Sequence, residues 1–461
     1  MKNIFKRKPS EFATEYTVTN ALLKGDILTR LSFILLGAGN IARKQIVKGL
    51  LFLFTEICYI YYMVSYGFYA LAELTTLGHY KEIEIETDWG YDYIYEGTKS
   101  VQVLLYGVAT VVITLLFIAF WREAVKSAYK AQCLSKEGKH VNTFFDDIKD
   151  LFNVNLHKLL LAFPLAGILT FTVLPLIFMM LMAFTNYSDG VDDATNHLNK
   201  FDWVGLDSFK QVLDINGNIG EQFWGVLAWT LIWAVFATLL NYIGGMILAI
   251  IINRKGTRLK GLWRFNFILS IAIPQFVSLL IMRTLLSDTG AINMLLKDWG
   301  LIDKALPFWT NETWARVTVI IVNLWVGIPY TMLQVTGVLQ NIPAELYEAA
   351  RVDGANAFTT FFKITLPYML FVTGPYLITT FTGNINNFNV IYLLTGGGPG
   401  VLGHTAGQTD LLVTWLYKLT IDKLDYNIGA VIGIMTFVVL AIVSLVTYRS
   451  TGSYKDEEGF Q

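Results

Sequence analysis

A polypeptide that enters lipid must hydrogen-bond every amide within its own chain, so a run of roughly 20 apolar residues has one common solution, a spanning helix. Eight such runs occur, at about 47–71, 101–121, 159–184, 225–252, 265–286, 317–339, 368–390 and 428–448. The expected fold class is an all-α polytopic membrane protein. Composition supports it, since 54% of the 461 residues are hydrophobic and only 15% charged, which does not describe a soluble surface. A formal net charge of −1 excludes a generally basic nucleic-acid binder. Cys58 falls in an expected span and Cys133 in an expected loop, so neither a disulfide nor a thiolate metal site is anticipated. No cleavable signal peptide is expected, because the first apolar run follows Lys6, Arg7 and Lys8 and is broken by Asp26 and Arg30. The spans themselves then direct the chain to the plasma membrane.

Charge along the chain sets orientation, because short cytoplasmic loops collect Lys and Arg. The N-terminal arm carries Lys2, Lys6, Arg7, Lys8, Lys24, Arg30, Arg43, Lys44 and Lys48, and the loop after the fourth run carries Arg254, Lys255, Arg258, Lys260 and Arg264 without an acid. The loop after the third run holds Asp189, Asp192, Asp193, Asp202, Asp207, Asp214 and Glu221 against Lys200 and Lys210, and the loop after the first holds Glu82, Glu84, Glu86, Asp88, Asp92 and Glu96. The basic segments are expected inside and the acidic ones outside, which puts both termini in the cytoplasm. The expected division is an N-terminal cytoplasmic or interfacial segment (1–46), an accessory pair of spans (47–121), a cytoplasmic linker read as a short helical hairpin (122–158), a six-span core (159–450) and a cytoplasmic tail (451–461). Residues 20–45 are apolar with basic flanks but interrupted. A helix lying in the membrane interface and a plain cytoplasmic helical bundle both fit that pattern.

Between the sixth and seventh runs lies a polar island, Tyr347 to Pro367. Asn341 and Pro343 open a helix, Glu345 and Glu348 sit near the positive end of its dipole, and Glu348 can pair with Arg351 one turn on. Asp353-Gly354 breaks it, and a second short helix runs from about Asn356 to Pro367. Each is shorter than the 12–15 residues or so at which an isolated helix becomes even marginal, so something must pack against them. Ala349 and Ala350 offer a small flat face, and Phe358, Phe361 and Phe362 a large apolar one. A hairpin folded back on its own membrane domain and a docking surface for another protein both satisfy that need.

Glu348-Ala349-Ala350, then Asp353-Gly354-Ala355, then Ile364-Thr365-Leu366-Pro367 resemble, in order, the "EAA" loop of the membrane subunits of ABC importers, in the form found in sugar permeases. The resemblance implies a six-helix type I importer core preceded by an N-terminal helix pair, and coupling helices that insert into a cleft on an ATPase subunit. It places Glu348, Ala349, Ala350, Asp353 and Gly354 in that coupling element. It also implies the partners: a dimer of ABC ATPase subunits that binds ATP and Mg, a second homologous permease and an extracellular sugar-binding lipoprotein. The chain itself then holds no cofactor and is not an enzyme.

A sugar crossing hydrocarbon needs aromatic faces, and amides or hydroxyls to replace its lost water. In the sixth run Asn323, Gly327 and Tyr330 recur at i, i+4 and i+7 on one helical face. In the seventh, Phe381-Thr-Gly383-Asn384-Ile-Asn386-Asn387-Phe388 is dense in carboxamides, with Asn384 and Asn387 on one face at i, i+3. Substrate contact and helix-packing glue are both open for such residues. Both segments, and the loop from Leu394 to Pro399 and on through Thr409 to Val413, are similar to the larger membrane subunit of maltose and maltodextrin transporters, over about 159–450. That similarity implies sugar contact for Asn323, Gly327, Tyr330, Asn384 and Asn387 and a malto-oligosaccharide substrate, with a galactoside or raffinose-type sugar as the alternative. Two departures stand out. Gly383 occupies the place of a stacking aromatic, and Ile271-x-x-Pro274-Gln275 lacks the tyrosine and serine of the family, leaving Gln275 to bond a hydroxyl. The short outward loop between the third and fourth runs suits a binding protein tethered to the membrane.

Gly398 to Thr405 has the spacing of a phosphate-binding loop, but His404 stands where the lysine belongs, and the segment reads as a turn-rich external loop. Glu56 and Arg283 are intramembrane charges that would form a relay in an ion- or proton-coupled carrier. Arg283 lies near a span end and can snorkel, and Glu56 reads as a structural hydrogen bond. The histidines at 79, 140, 157, 197 and 404 are scattered, so no metal cluster or catalytic triad is expected. Neither a coupled carrier nor an integral membrane enzyme has a use for the coupling motif.

Overall fold

The structure, a computed structural model, describes residues 16–87, 90–188, 200–254 and 256–450. Lys2, Lys6, Arg7 and Lys8, the loop residues Asp88, Asp189, Asp192, Asp193, His197 and Lys255, and the expected tail 451–461 lie outside the described residues. Among the described residues seven helices are long and apolar enough to cross a membrane: Ile46–Leu74, Ser100–Lys136, Leu156–Met182, Asn218–Asn253, Glu312–Gln340, Ala357–Leu394 and Tyr426–Arg449. A bent pair, Lys260–Ala272 with Gln275–Leu285, supplies an eighth. In chain order these are the first to eighth spans, the bent pair being the fifth, and each expected apolar run falls in one of them. The fifth turns through 87° at its break. Pro274 explains the turn, since it has no N–H to donate and drives the preceding Ile273 to an extended backbone (φ −78°, ψ 126°).

The chain divides into two compact units, 1–187 with 191–203, and 188–190 with 204–461. In the first unit the first and second spans run antiparallel, joined by Phe52 on Phe120 (5.5 Å between centroids), Tyr59 stacked on Phe117 (3.8 Å) and Tyr62 bonded to Thr110 (2.8 Å). The second span has 37 residues, or about 55 Å of helix against a hydrocarbon layer of about 30 Å. Its charged end, from Arg122 onward, therefore projects beyond the apolar layer. The expected helical hairpin forms there, with Phe144–Phe152 as its second arm, opened by a capping box between Thr143 and Asp146. Residues 20–45 break into three short helices, Val18–Lys24, Ile27–Leu31 and Ala38–Ile41, folded over the same extension. Glu56 makes the structural hydrogen bond expected of it, its Oε2 accepting the Leu36 N–H at 2.8 Å.

The acidic loop after the first span is a β-hairpin, β1 (Tyr80–Thr87) antiparallel to β2 (Gly90–Gly97), with Tyr80 opposite Gly97 and Thr87 opposite Gly90. It is the departure from helix among the described residues. The signal is present in the sequence, since Glu82-Ile83-Glu84-Ile85-Glu86 alternates with the two-residue period of a strand.

In the second unit the fourth span is the helix on which the others pack. Trp229, Trp233, Ala234 and Ala237 of that span form one core with Val319 and Val322 of the sixth and Ile385, Val390 and Ile391 of the seventh. Tyr242, Met246 and Ala249 form a second with Met332, Val335 and Met369. The loop 395–411 is held to this framework by the fully buried Asp410, whose carboxylate accepts from Lys418 Nζ (2.6 Å), the Gly407 N–H (2.7 Å) and Thr414 Oγ1 (2.8 Å). Burial pushes the Asp410 carboxyl above the ordinary carboxylate range, and the Lys418 ammonium pulls it partly back. Gly397 lies against this carboxylate with φ +84°, and a Cβ there would come within 1.9 Å of Asp410 Oδ1. Gly397→Ala is therefore expected to cost at least about 1–3 kcal/mol from the left-handed backbone alone. The check is thermal unfolding of the solubilised chain, with faster proteolysis within 396–411 as the local readout.

Candidate functional site

The seam between the fourth, sixth and seventh spans carries an uneven set of polar groups. Thr230, Thr238 and Asn241 form a stripe on one face of the fourth span, at i, i+8 and i+11, in an otherwise apolar helix. Asn384 is buried against this stripe, its Nδ2 donating to Thr238 Oγ1 (2.9 Å) and its carbonyl accepting from Trp233 Nε1 (3.0 Å). Gly327 meets the stripe from the sixth span, close enough that a Cβ would fall 2.5 Å from Asn241 Nδ2. Asn323, one turn earlier on the same face, is buried with its Nδ2 unbonded, and the Asn241 Oδ1 is likewise without a donor. A donor and an acceptor left unmade in a low-dielectric seam each cost about 1–3 kcal/mol. Asn241 was not among the sequence candidates. The stripe to which it belongs is the signal that reveals it.

Among the described residues two spans of this unit are broken, the seventh at Asn386-Asn387 and the fifth at Ile273-Pro274, just before Gln275. The seventh span is interrupted at 386–387: Asn386 leaves the helical conformation (φ −95°, ψ 20°), and Asn387 caps the next segment, Phe388–Leu394, its Oδ1 accepting from Val390 N. The expected continuous face with Asn384 and Asn387 at i, i+3 is therefore absent, because the helix ends between them. The density of asparagine has a physical reason here: unwound backbone at membrane depth needs polar partners. Gly383 and Asn386 are exposed at this break, and a Cβ at Gly383 would meet nothing within 4 Å.

The second break, at Pro274 in the fifth span, opens a cleft lined by Ser270, Gln275 and Ser278 together with Trp325 and Tyr330 of the sixth. Of the sequence candidates, the structure thus brings Gln275 to Tyr330 in one cleft, and Asn323, Gly327 and Asn384 to the fourth-span stripe, while Asn387 serves as a helix cap. Tyr330 is half exposed into the cleft. Two hydroxyls, a carboxamide, a phenol and an indole are together able to donate, accept and stack.

The element at 343–367 forms one of the two expected short helices; the second is not separate but is the opening turns of the 38-residue seventh span, Ala357–Leu394. The first, Ala344–Val352, ends in a Schellman motif: the Ala355 N–H donates to Ala350 O (2.8 Å), the Gly354 N–H to Arg351 O (3.1 Å), and Gly354 takes φ +73°. Asn356 caps the following turn through Thr359 N (2.8 Å), and Tyr347 OH meets Thr365 Oγ1 (3.1 Å), tying the two arms together. Ala350 is buried beneath the helix and Ala349 faces out, so the two alanines do not share a face. Among the described residues no ion pair joins Glu348 to Arg351; both line a cavity with Asn253, Arg254 and Thr365. Val352, at the end of this nine-residue helix, is 88% exposed, and Phe358, in the first turn of the seventh span, is 71% exposed.

The remaining sequence decoys resolve simply. Residues 398–405 form a turn-rich loop bridged from Gly400 to Gly407, and the next helix starts only at Leu412, so no helix N-terminus cradles a phosphate. Arg283 is exposed in the last turn of the fifth span. Among the described residues no group of His, Cys, Asp and Glu is arranged to hold a metal.

Residues 241–451 match the model of the binding-protein-dependent transport system inner membrane component. The chain is 35% identical to the galactooligosaccharides transport system permease protein GanP of Bacillus subtilis, over 91% of this chain and 96% of that one. It is 32% identical to the maltodextrin transport system permease protein MdxF of the same organism, over 96% of this chain and 99% of that one. Among solved structures, a chain of a bacterial alginate ABC transporter crystallised with an alginate pentasaccharide-bound periplasmic protein superposes with a TM-score of 0.53 at 24% identity, covering 67% of this chain and 98% of that chain, which speaks for the fold. With relatives at 32–35% identity matched over nearly their whole length, and the family model matching residues 241–451, the chain belongs to the binding-protein-dependent inner membrane components, the permease subunits of ABC importers.

Proposed function

We propose that this permease carries neutral oligosaccharides of the maltodextrin type across the plasma membrane, as one half of a pathway completed by a second homologous permease. The observation that carries the reading is the break at Pro274, where Gln275, Ser278, Tyr330 and Trp325 converge around a pocket of about 20 Å³, which must widen as the spans move before a sugar ring can enter. Irregular backbone in a membrane protein is tolerated where it lines a cavity, and transporters place substrate at such breaks. A sugar hydroxyl can both accept and donate, which is what the unpaired Asn323 Nδ2 and Asn241 Oδ1 require. Asn384 and Asn387 contribute by holding the break in the seventh span open beside Gly383 and Asn386.

In this reading the segment 343–367 and the termini are cytoplasmic, following the basic loops. The exposed Glu348, Ala349, Asp353 and Gly354, with Val352 and Phe358, dock on a dimer of ATPase subunits, and Ala350 anchors the helix from beneath. ATP and Mg reside on those subunits, and an external lipoprotein delivers the sugar. Nucleotide binding shifts the spans between outward and inward access only through its differential affinity for the two states.

A second reading, galactooligosaccharide transport, is favoured by the 35% identity to GanP against 32% to MdxF. Uptake of labelled maltotriose, competed with unlabelled maltodextrins and with galactooligosaccharides, separates the two: competition by galactosides alone overturns the maltodextrin assignment.

Three substitutions test the assignment of roles. Tyr330→Ala is expected to cut uptake with the thermal stability of the solubilised chain unchanged, because the ring faces the cleft. Asn384→Ala is expected to lower stability by about 1 kcal/mol through loss of its bond to Thr238, as interhelical hydrogen bonds in membranes do. Gly354→Pro can adopt neither φ +73° nor the Schellman donation, and should lower coupled ATPase activity and transport about tenfold for each 1.4 kcal/mol of docking lost, with membrane insertion intact. Wild-type transport by that variant would remove the segment from coupling.

A further inference from the structure

The N-terminal cap of the first unit is clamped on one side and bare on the other. Its inner face is fixed by Ala21 and Leu36 buried against Ala124, Val125 and Tyr129. Four hydrogen bonds fix its height on the neighbouring spans: Asp26 N to Gln132 Oε1 (2.9 Å), Asn40 Nδ2 to Ser127 Oγ (3.0 Å), Trp121 Nε1 to Phe33 O (3.0 Å) and Leu36 N to Glu56 Oε2 (2.8 Å). The two ends of the cap thus meet the charged extension of the second span at residues 127 and 132, while its middle, Phe33–Leu36, reaches back to Trp121, the last residue before Arg122. On the first span the same middle segment lies between Gly49, whose carbonyl sits against Gly37, and Glu56. Glu56 is ten residues into that helix, and its side chain leans toward the helix start, so Leu36 lies roughly 5–15 Å inside the end of the span.

The outer face at this depth is apolar. Ile34 is 80% exposed and Ile27 85%, with Leu28, Leu31 and Leu35 exposed beside them. Left in water, side chains of this size forgo the free energy of burial. Ile46, Leu50 and Phe54 of the first span are exposed as well, on a helix long and apolar enough to cross a membrane. The charges around the outer face are basic and outward: Lys24, Arg30 and Lys44 are exposed, and the one acid of the described cap, Asp26, is taken by Arg43 (2.6 Å). Exposed Leu and Ile flanked by Lys and Arg, on a structure held at the end of a span, is the chemistry of an interfacial, monotopic element.

We propose that residues 27–36 are a re-entrant tip that dips into the lipid leaflet beside the first and second spans, with Ile34 as its deepest side chain and Lys24 and Arg30 at the headgroups. The occupant of the bare face is the acyl layer. Glu56 then has a defined role, holding the tip at depth by accepting the Leu36 amide, which would otherwise be an unpaired donor in hydrocarbon.

The test is spin-label accessibility on the full chain, purified with the subunits that accompany it and reconstituted in phosphatidylethanolamine and phosphatidylglycerol vesicles. Cys58 and Cys133 are first replaced by alanine, and single labels are placed by Ile34→Cys, with Phe54→Cys as the lipid reference and Glu137→Cys as the water reference. The expected result is an oxygen-to-nickel-chelate collision ratio for the Ile34 label close to that of the Phe54 label and severalfold above that of the Glu137 label. A ratio at the water reference would make the cap a cytoplasmic bundle and overturn the proposal. Protection from both probes would place a protein on this face and overturn it equally.

Discussion

The second unit depends on one set of interactions: polar side chains of the fourth span bonding the backbone of the irregular segment that follows Gly383. Trp233 Nε1 reaches the Asn384 carbonyl, Trp229 Nε1 the Thr409 carbonyl (3.2 Å), Thr230 Oγ1 accepts the Leu412 N–H (3.1 Å), and Gln222 Oε1 accepts the amides of Thr405 and Ala406 (2.8 and 2.9 Å). Each would cost the full desolvation of a peptide group if left unmade in lipid. Because one straight helix meets all of these needs, the chain can break its seventh span and fold a tight loop without unravelling.

That arrangement separates rigidity from access. Groups bonded to the fourth span, Asn384 above all, have little freedom to meet a passing ligand. Groups at the break in the fifth span, Gln275 and Tyr330, face a cleft and are free to do so. The same division appears in the segment 343–367, where Ala350 and Tyr347 fix the first helix while Val352, Gly354 and Phe358 are exposed. In the first unit, Glu56 and Trp121 fix the cap and Ile34 stands out. A spanning protein thus uses its scarce hydrogen-bonding side chains to hold backbone in place, leaving exposed residues to meet partners.

Much of this was legible in the chain. Apolar runs of the right length fixed the number and place of the spans, and Pro274 marked the sharp turn in the fifth, because a missing N–H and a forced extended neighbour act locally. Gly354 after Asp353 announced a helix end, as only glycine enters the left-handed region at little cost. The alternation of Glu and Ile at 82–86 carried a strand signal that the acidic composition masked.

What the sequence determined by itself was therefore what neighbours along the chain govern: the length and place of the apolar runs, the helix end at Gly354 and the order of charges. What only the tertiary structure decided was which way each polar residue faces across a seam. Periodicity placed Asn384 with Asn387, but the helix ends between them. It grouped Ala349 with Ala350, but adjacent helical residues point about 100° apart and only the latter meets the core. Asn241, Thr238 and Trp233 act on residues about 90–150 positions away, a distance at which no local pattern carries the pairing. The partner of a buried carboxamide is chosen by packing, and packing is a property of the folded chain.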